Sequence, residues 1–173
     1  MNDKSNSFMY DCFFNSVVEL MKTKPYKEIT IKDICEKSGF SRMAYYRNFE
    51  SKDDILIKKV EAVYDRLKVL VKENIGKTYD IEIFREIYNE FLNNHLISTL
   101  FKARLMEYFV YTNRDLIIFF YKDIYNLDVN DPEVKQKIYD ALGISISTML
   151  YLVVEDKIFT YNEIIRKIKK FMV

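Results

Sequence analysis

The chain has 173 residues, of which 49% are hydrophobic and 16% aromatic, so it can bury a sizeable core and is not disordered. Three glycines and two prolines are few, which favours long helices and disfavours functions that need a glycine-rich phosphate loop. The 27 lysines and arginines almost balance 26 aspartates and glutamates, which excludes a generally cationic protein but not a local basic patch.

Two helices are predicted before residue 38. The first spans about 7–22, because apolar residues recur there at helical spacing and Pro25 lies just beyond as a stop signal. Its apolar positions are Phe8, Cys12, Phe13, Val17, Leu20 and Met21. Thr30 is predicted to cap a second helix, over 31–37, whose start the Asp33 carboxylate favours.

A tight turn and two further helices follow. Gly39 supplies the positive φ that a sharp reversal requires, and Ser41 caps a short third helix that ends near Asn48. Ser51 caps a long fourth helix, predicted to end at about residue 74 before Gly76.

Five helices are predicted in the remainder, which makes about nine in an all-α chain. They cover about 80–94, 96–112, 114–126, 132–155 and a final segment that begins at Thr160. Pro132 fits the first turn of the fourth of these. The apolar stretch 138–154 is interrupted by Asp140 and is shorter than the ~18–20 residues of a membrane span, so we expect a buried helix.

Residues 28–52 have the pattern of a helix-turn-helix, in which the second helix enters the DNA major groove. Arg42, near the start of that helix, can donate two hydrogen bonds to a guanine edge. From Lys22 to Lys52 eight basic and four acidic residues give a net charge of +4, whereas residues 53–173 carry 18 basic and 19 acidic residues, or −1. The sequence therefore predicts a basic head on a mildly acidic body.

The run Ile29–Lys52 resembles the TetR/AcrR family of transcriptional regulators. It contains a Thr before Asp-Ile, a Gly-apolar-Ser turn, an aromatic pair with Tyr second, Phe three residues later, and then Ser-Lys followed by an acid. The resemblance covers about residues 8–60. It implies an all-helical homodimer with a DNA-binding domain, which we place at 1–52, and an effector-binding and dimerisation domain at 53–173. Most family members are repressors that leave a pseudo-palindromic operator when a small molecule binds.

The resemblance also implies roles for single residues. Arg42 and Met43 match base-reading positions. Thr30, Tyr46 and Lys52 match positions that contact phosphate, and Arg47 and Asn48 match more variable phosphate-contacting positions. The candidate DNA-binding residues are Thr30, Ser41, Arg42, Met43, Tyr46, Arg47, Asn48 and Lys52. A solvated surface is the alternative for the basic ones. Tyr45 stands where the family usually has Leu or Phe and is assigned to packing. Met43 replaces a frequent Gly and offers apolar contact, such as to a thymine methyl, so the operator sequence cannot be transferred.

No enzyme, cofactor or metal site is predicted. Cys12 and Cys35 lie on apolar faces and are expected to be buried thiols, and His95 has no partner at metal-binding or catalytic spacing. The N-terminus lacks the apolar run of a signal peptide, so we expect a cytoplasmic protein without a membrane partner.

Two surfaces of the body are candidates for binding. A pocket for an unknown effector is predicted at Arg104, Tyr108, Tyr111, Phe120 and Met149, although most aromatic residues there serve the core. A dimer interface is predicted at Leu142, Ile146, Met149, Leu150, Ile165, Ile168 and Met172, with core packing within one chain as the alternative. A second functional hypothesis is a TetR-like helical coactivator that acts through a protein partner rather than by direct DNA binding.

Overall fold

The computed structural model describes residues 3–73, 95–155 and 166, and these residues are all-α as predicted, with no strand among them. A 3₁₀ turn, Tyr26–Glu28, precedes the second helix, and a π-helical turn, Phe120–Ile124, follows the sixth. The α-helices are α1 (Asp3–Leu20), α2 (Ile31–Ser38), α3 (Arg42–Asn48), α4 (Lys52–Glu73), α5 (Leu96–Ala103), α6 (Met106–Phe119) and α7 (Pro132–Val154). The helices predicted at 80–94 and from Thr160, together with Gly76, lie outside the described residues.

Helix α4 runs from the head into the body. It has 22 residues and is therefore ~33 Å long. Its apolar side packs against α1, α5 and α6, and Lys59 Nζ lies 2.9 Å from Asp11 Oδ1 on α1. Side chains from all three helices share one core with those of α4, so the head and the body are packed continuously along this helix.

The buried face of α1 is shifted from the predicted one. Phe8 is 66% exposed, whereas Met9 and Phe14 lie in the core beside Phe13 and Val17. Cys35 is buried as predicted, but Cys12 is only half-buried. Two adjacent phenylalanines make helical spacing ambiguous by one position, and the packing of α2 and α4 selects the face.

The sequence predicts helices over 96–112 and 114–126 with a break at residue 113, and this is wrong, because the break lies between α5 and α6 at residues 104–105. The chain turns at Arg104, whose φ is 63°, and the Leu105 amide donates to the Leu100 carbonyl at 2.9 Å. Asn113 instead lies buried within α6 and donates a hydrogen bond of 2.7 Å to Ser145 on α7. The hydrogen bond to Ser145 allows Asn113 to lie buried inside a helix, although asparagine is more typical of loops.

Helix α7 begins as predicted, with Pro132 in its first turn and Asp131 accepting amide hydrogen bonds from Glu133 and Val134. The expectation that 138–154 is buried is wrong for a single chain. Ile138 and Leu142 pack inward, but much of the helix faces outward. Among the described residues, no helix combines the length and apolarity needed to cross a bilayer.

Candidate nucleic-acid interface

The turn between α2 and α3 has the predicted local geometry. Gly39 adopts φ 77° and ψ 8°, and its amide donates to the Cys35 carbonyl at 3.1 Å, which closes α2. Ser41 Oγ accepts the Ala44 amide at 3.1 Å and so caps α3. No described atom lies within 4 Å of the position that a Cβ on Gly39 would occupy. The turn therefore requires glycine for its backbone conformation and not for space.

The start of α2 is held by a reciprocal capping box. Asp33 accepts hydrogen bonds from the Thr30 amide at 2.8 Å and the Thr30 hydroxyl at 2.7 Å, while its own amide donates to Thr30 Oγ1 at 3.2 Å. The Lys24 ammonium also donates to this carboxylate. Lys24 first, and then the two Thr30 donors, hold the pKa of Asp33 well below its ordinary value. Both Thr30 donors are thus engaged within the protein.

Helix α3 has one buried side and one exposed side. Tyr45 is fully buried and its ring packs against Phe13 and Phe49, with centroids 6.0 and 5.5 Å apart. This confirms its assignment to packing. On the opposite side Met43 is 72% and Tyr46 62% exposed. The buried aromatic cluster therefore fixes the orientation in which α3 presents its outer side chains.

Two arginines lie on the outer side of α3. Arg42 and Arg47 are exposed, and neither guanidinium group forms a hydrogen bond or ion pair with another residue in the described part of the chain. Guanidinium groups in this state retain their donors for an anion or a base edge. Together with Met43 and Tyr46, they form the surface that we call the α3 outer face.

Asn48 is turned away from this face. Its Nδ2 donates to the Ala44 carbonyl at 2.7 Å and lies 3.7 Å from the sulfur of Met9, and its Oδ1 accepts from Tyr10 at 3.5 Å. The half-buried amide thus joins α3 to α1. A DNA contact by Asn48 stays a prediction.

Lys52 also makes contacts within the chain that the sequence did not indicate. Its Nζ donates to the carbonyl oxygens of Tyr26, Lys27 and Ile29, at 2.8, 3.2 and 3.0 Å. The same ammonium lies 4.6 Å from the centroid of the Tyr26 ring. A neighbouring lysine, Lys58, donates to the Asn48 carbonyl at 2.6 Å and so stabilises the end of α3. No motif marks either lysine for these roles, because their partners are backbone carbonyls.

The predicted pocket residues do not form one buried group. Arg104 is exposed at the α5–α6 turn, and Tyr108 and Tyr111 are exposed on α6. Phe120 and Met149 are half-buried against the core. An effector site at these residues stays a prediction. Within the described ranges, no group of three or more His, Cys, Asp or Glu side chains is placed to hold a metal ion.

The predicted interface residues on α7 differ in exposure. Leu142 is only 7% exposed and packs within its own chain, Ile146 and Met149 are half-buried, and Leu150 is exposed. Ile165, Ile168 and Met172 lie outside the described residues. The interface stays a prediction, and inward packing makes Leu142 a poor candidate for it.

Comparison with known proteins agrees with this geometry. Residues 17–58 match the model of the family described as bacterial regulatory proteins, tetR family. The segment is similar to an uncharacterized HTH-type transcriptional regulator of Bacillus subtilis (strain 168), YwcC, with 29% identity over 62 residues. That match covers 36% of this chain and 28% of the relative, so it spans less than a third of the relative's length.

The fold extends the likeness to the body. A crystal structure of a protein from Syntrophomonas wolfei str. Goettingen, assigned to the TetR family of transcriptional regulators, superposes with a TM-score of 0.71 at 20% identity. The match covers 99% of this chain and 94% of that one. The family model and the Bacillus relative confirm the resemblance predicted from residues 29–52, and the superposition confirms the all-α fold.

Proposed function

We propose that this chain is a regulator of the TetR type, which binds a pseudo-palindromic operator as a homodimer and represses transcription in the cytoplasm until a small-molecule effector releases it. The observation that carries the proposal is the α3 outer face. Two arginines, a methionine and a tyrosine are exposed there on a helix whose other side is fixed by a buried aromatic cluster.

The α3 outer face suits both kinds of DNA contact. Arg42, in the first turn of α3, is placed to donate two hydrogen bonds to guanine, and Met43 beside it offers an apolar contact to a thymine methyl. Tyr46 and Arg47, one turn later, are suited to phosphates. Thr30, Asn48 and Lys52 contribute less in this proposal, because their polar groups are engaged within the head.

Dimerisation is supported by the outer side of α7. A stripe of exposed residues at helical spacing, which we call the α7 outer stripe, consists of Tyr139, Gly143, Ser147, Leu150 and Val154. No described atom lies within 4 Å of a Cβ built on Gly143, so a second helix has room to approach there. Two copies of the stripe would bury each other about a twofold axis and present two α3 helices to two half-sites.

The course of α4 supports effector release. Because α4 carries the head at one end and packs against α5 and α6 at the other, a ligand that shifts the body would alter the spacing of the two heads. In this proposal, the protein has two conformations that differ in the spacing of the heads. An effector that binds one of them more tightly changes the fraction of protein that is bound to DNA. The effector and the operator would then weaken each other by the same factor.

A mobility-shift assay with the DNA upstream of the chain's own gene tests the proposal. The wild-type protein should shift this duplex, and excess unrelated duplex should not compete it away. An Arg42→Ala variant should bind more weakly, whereas Lys102→Ala, which removes an exposed charge from α5, should bind as the wild type does. Absence of any shift at low and moderate salt would instead favour a helical coactivator that acts through a protein partner.

A further inference from the structure

We infer that Lys52 is a positioning residue that clamps the 3₁₀ turn Tyr26–Glu28 onto the start of α4, and that it does not contact the DNA phosphate for which its family position would mark it. The inference concerns the head of the proposed DNA-binding protein. The inference therefore rests on the proposed function where DNA binding is measured, and it is independent of that function where stability without DNA is measured.

The hydrogen-bond donors of the Lys52 ammonium group are all used within the head. An ammonium group has three N–H donors, and three carbonyl oxygens lie within 3.2 Å of Lys52 Nζ. Each of these hydrogen bonds is strengthened by the positive charge, and the face of the Tyr26 ring adds a cation–π contact. A phosphate could recruit this ammonium only by replacing several of these contacts at once.

Asp53, the residue after Lys52, also binds the 3₁₀ turn to the start of α4. The Tyr26 hydroxyl donates to Asp53 Oδ1 at 2.6 Å, so two successive residues at the start of α4 bind the 3₁₀ turn. Tyr26 itself is buried in the head. The carbonyl oxygens that Lys52 binds belong to Tyr26 and Lys27 within this turn and to Ile29 directly after it.

The segment that Lys52 clamps leads directly into α2. The last carbonyl bound by Lys52, that of Ile29, immediately precedes Thr30, the residue that caps α2. Helix α5 also packs against the 3₁₀ turn and against α4. The clamp therefore sets where α2 begins relative to α4.

Two substitutions separate a clamp from a phosphate contact. Lys52→Met removes the charge but keeps the length of the side chain. Lys52→Arg keeps the charge, but a planar guanidinium cannot direct its donors to the same three carbonyls. The control is Arg47→Gln, which removes an exposed cation that has no partner among the described residues.

The readouts are the melting temperature without DNA and the slope of log Kobs against log salt concentration for the upstream duplex. We expect both Lys52 variants to melt at lower temperature and to bind more weakly, with an unchanged salt slope. Arg47→Gln should melt as the wild type does, and its slope should be flatter by ~0.9 per lost phosphate contact. A Lys52→Met chain that fails to fold also supports the clamp, since a lysine reserved for phosphate does not hold the unbound head together.

Two results overturn the inference. One is a Lys52→Met protein with the melting temperature of the wild type. The other is a flatter salt slope for Lys52→Met than for the wild type. If Lys52→Met does not fold, a Lys52→Arg protein with the stability and affinity of the wild type overturns the inference instead. If the wild-type protein binds no DNA, the proposed function fails, and the melting temperatures alone still decide whether the clamp exists.

Discussion

The Tyr45 side chain fixes α3 in the head and leaves one polar atom unsatisfied. The residue is fully buried between aromatic rings, and its hydroxyl has no hydrogen-bond partner in the described part of the chain. A buried hydroxyl without a partner costs about 1–3 kcal/mol. The aromatic ring of Tyr45 thus stabilises the head, while its hydroxyl opposes that stability.

We predict that Tyr45→Phe stabilises the protein by ~1 kcal/mol, because the substitution keeps the ring and removes the unsatisfied hydroxyl. Thermal or chemical denaturation measures the change. The matched control is Tyr46→Phe on the exposed side of α3, which should leave the free energy of unfolding nearly unchanged. A less stable Tyr45→Phe protein would mean that the hydroxyl has a partner after all.

Alkaline pH gives a second test of the same residue. Burial raises the pKa of Tyr45 from 10.0 to about 12, so the folded state holds the phenolic proton more tightly than the unfolded state does. This difference costs no stability below pH 10, where the phenol is protonated in both states, and it destabilises the folded state as the pH rises toward 12. Tyr26 and Tyr64 add to the loss, since burial raises the pKa of each.

Between these two pH values, Tyr45→Phe should therefore lose stability less steeply than Tyr46→Phe. The difference should approach the ~1.4 kcal/mol per pH unit that one proton contributes. Parallel losses in the two variants would contradict the burial of a protonated Tyr45. Denaturation curves recorded at pH 9, 10, 11 and ~12 provide the measurement.

At the scale of the helices, the capping and turn residues of the head predicted where the helices begin and end. Thr30, Gly39, Ser41 and Ser51 each stand where the sequence places a cap or turn, because such residues act on backbone groups only a few positions away.

Long-range contacts were not predictable in the same way. The α5–α6 turn has no glycine or proline, and it forms where Arg104 adopts a left-handed conformation. Asn113 looks like a loop residue until its partner Ser145, 32 positions away, is known. The contacts of Lys52 with carbonyls 23 to 26 positions earlier were equally invisible, since every residue has a carbonyl.

The α2–α3 turn carries a prediction of its own. Gly39→Ala should destabilise the protein by ~1 kcal/mol, because a Cβ disfavours φ near +77° although it meets no neighbour. Gly39→Asn should cost less, since asparagine tolerates this conformation better than alanine. Equal stability of all three proteins, measured by denaturation, would show that the backbone strain is relieved elsewhere.

For the whole molecule, the proposed function includes a dimer in which the α7 outer stripe contacts a second copy of the chain. We predict that Gly143→Arg converts the dimer into a monomer, because a long charged side chain would occupy the open centre of the α7 outer stripe. Lys137→Ala, elsewhere on the exposed surface of α7, should leave the dimer intact. Sedimentation velocity distinguishes the two states. A dimer that survives Gly143→Arg would place the interface outside the stripe.

Direct recognition of DNA bases by α3 is the central claim of the proposed function. Fluorescence anisotropy should be measured on the upstream duplex and on a duplex of the same composition in scrambled order. The wild-type protein should prefer the upstream duplex, and Arg42→Ala should weaken that binding by ~1–3 kcal/mol, or roughly 5- to 150-fold, with little effect on the scrambled duplex. Equal affinity of both proteins for both duplexes would contradict base recognition through α3.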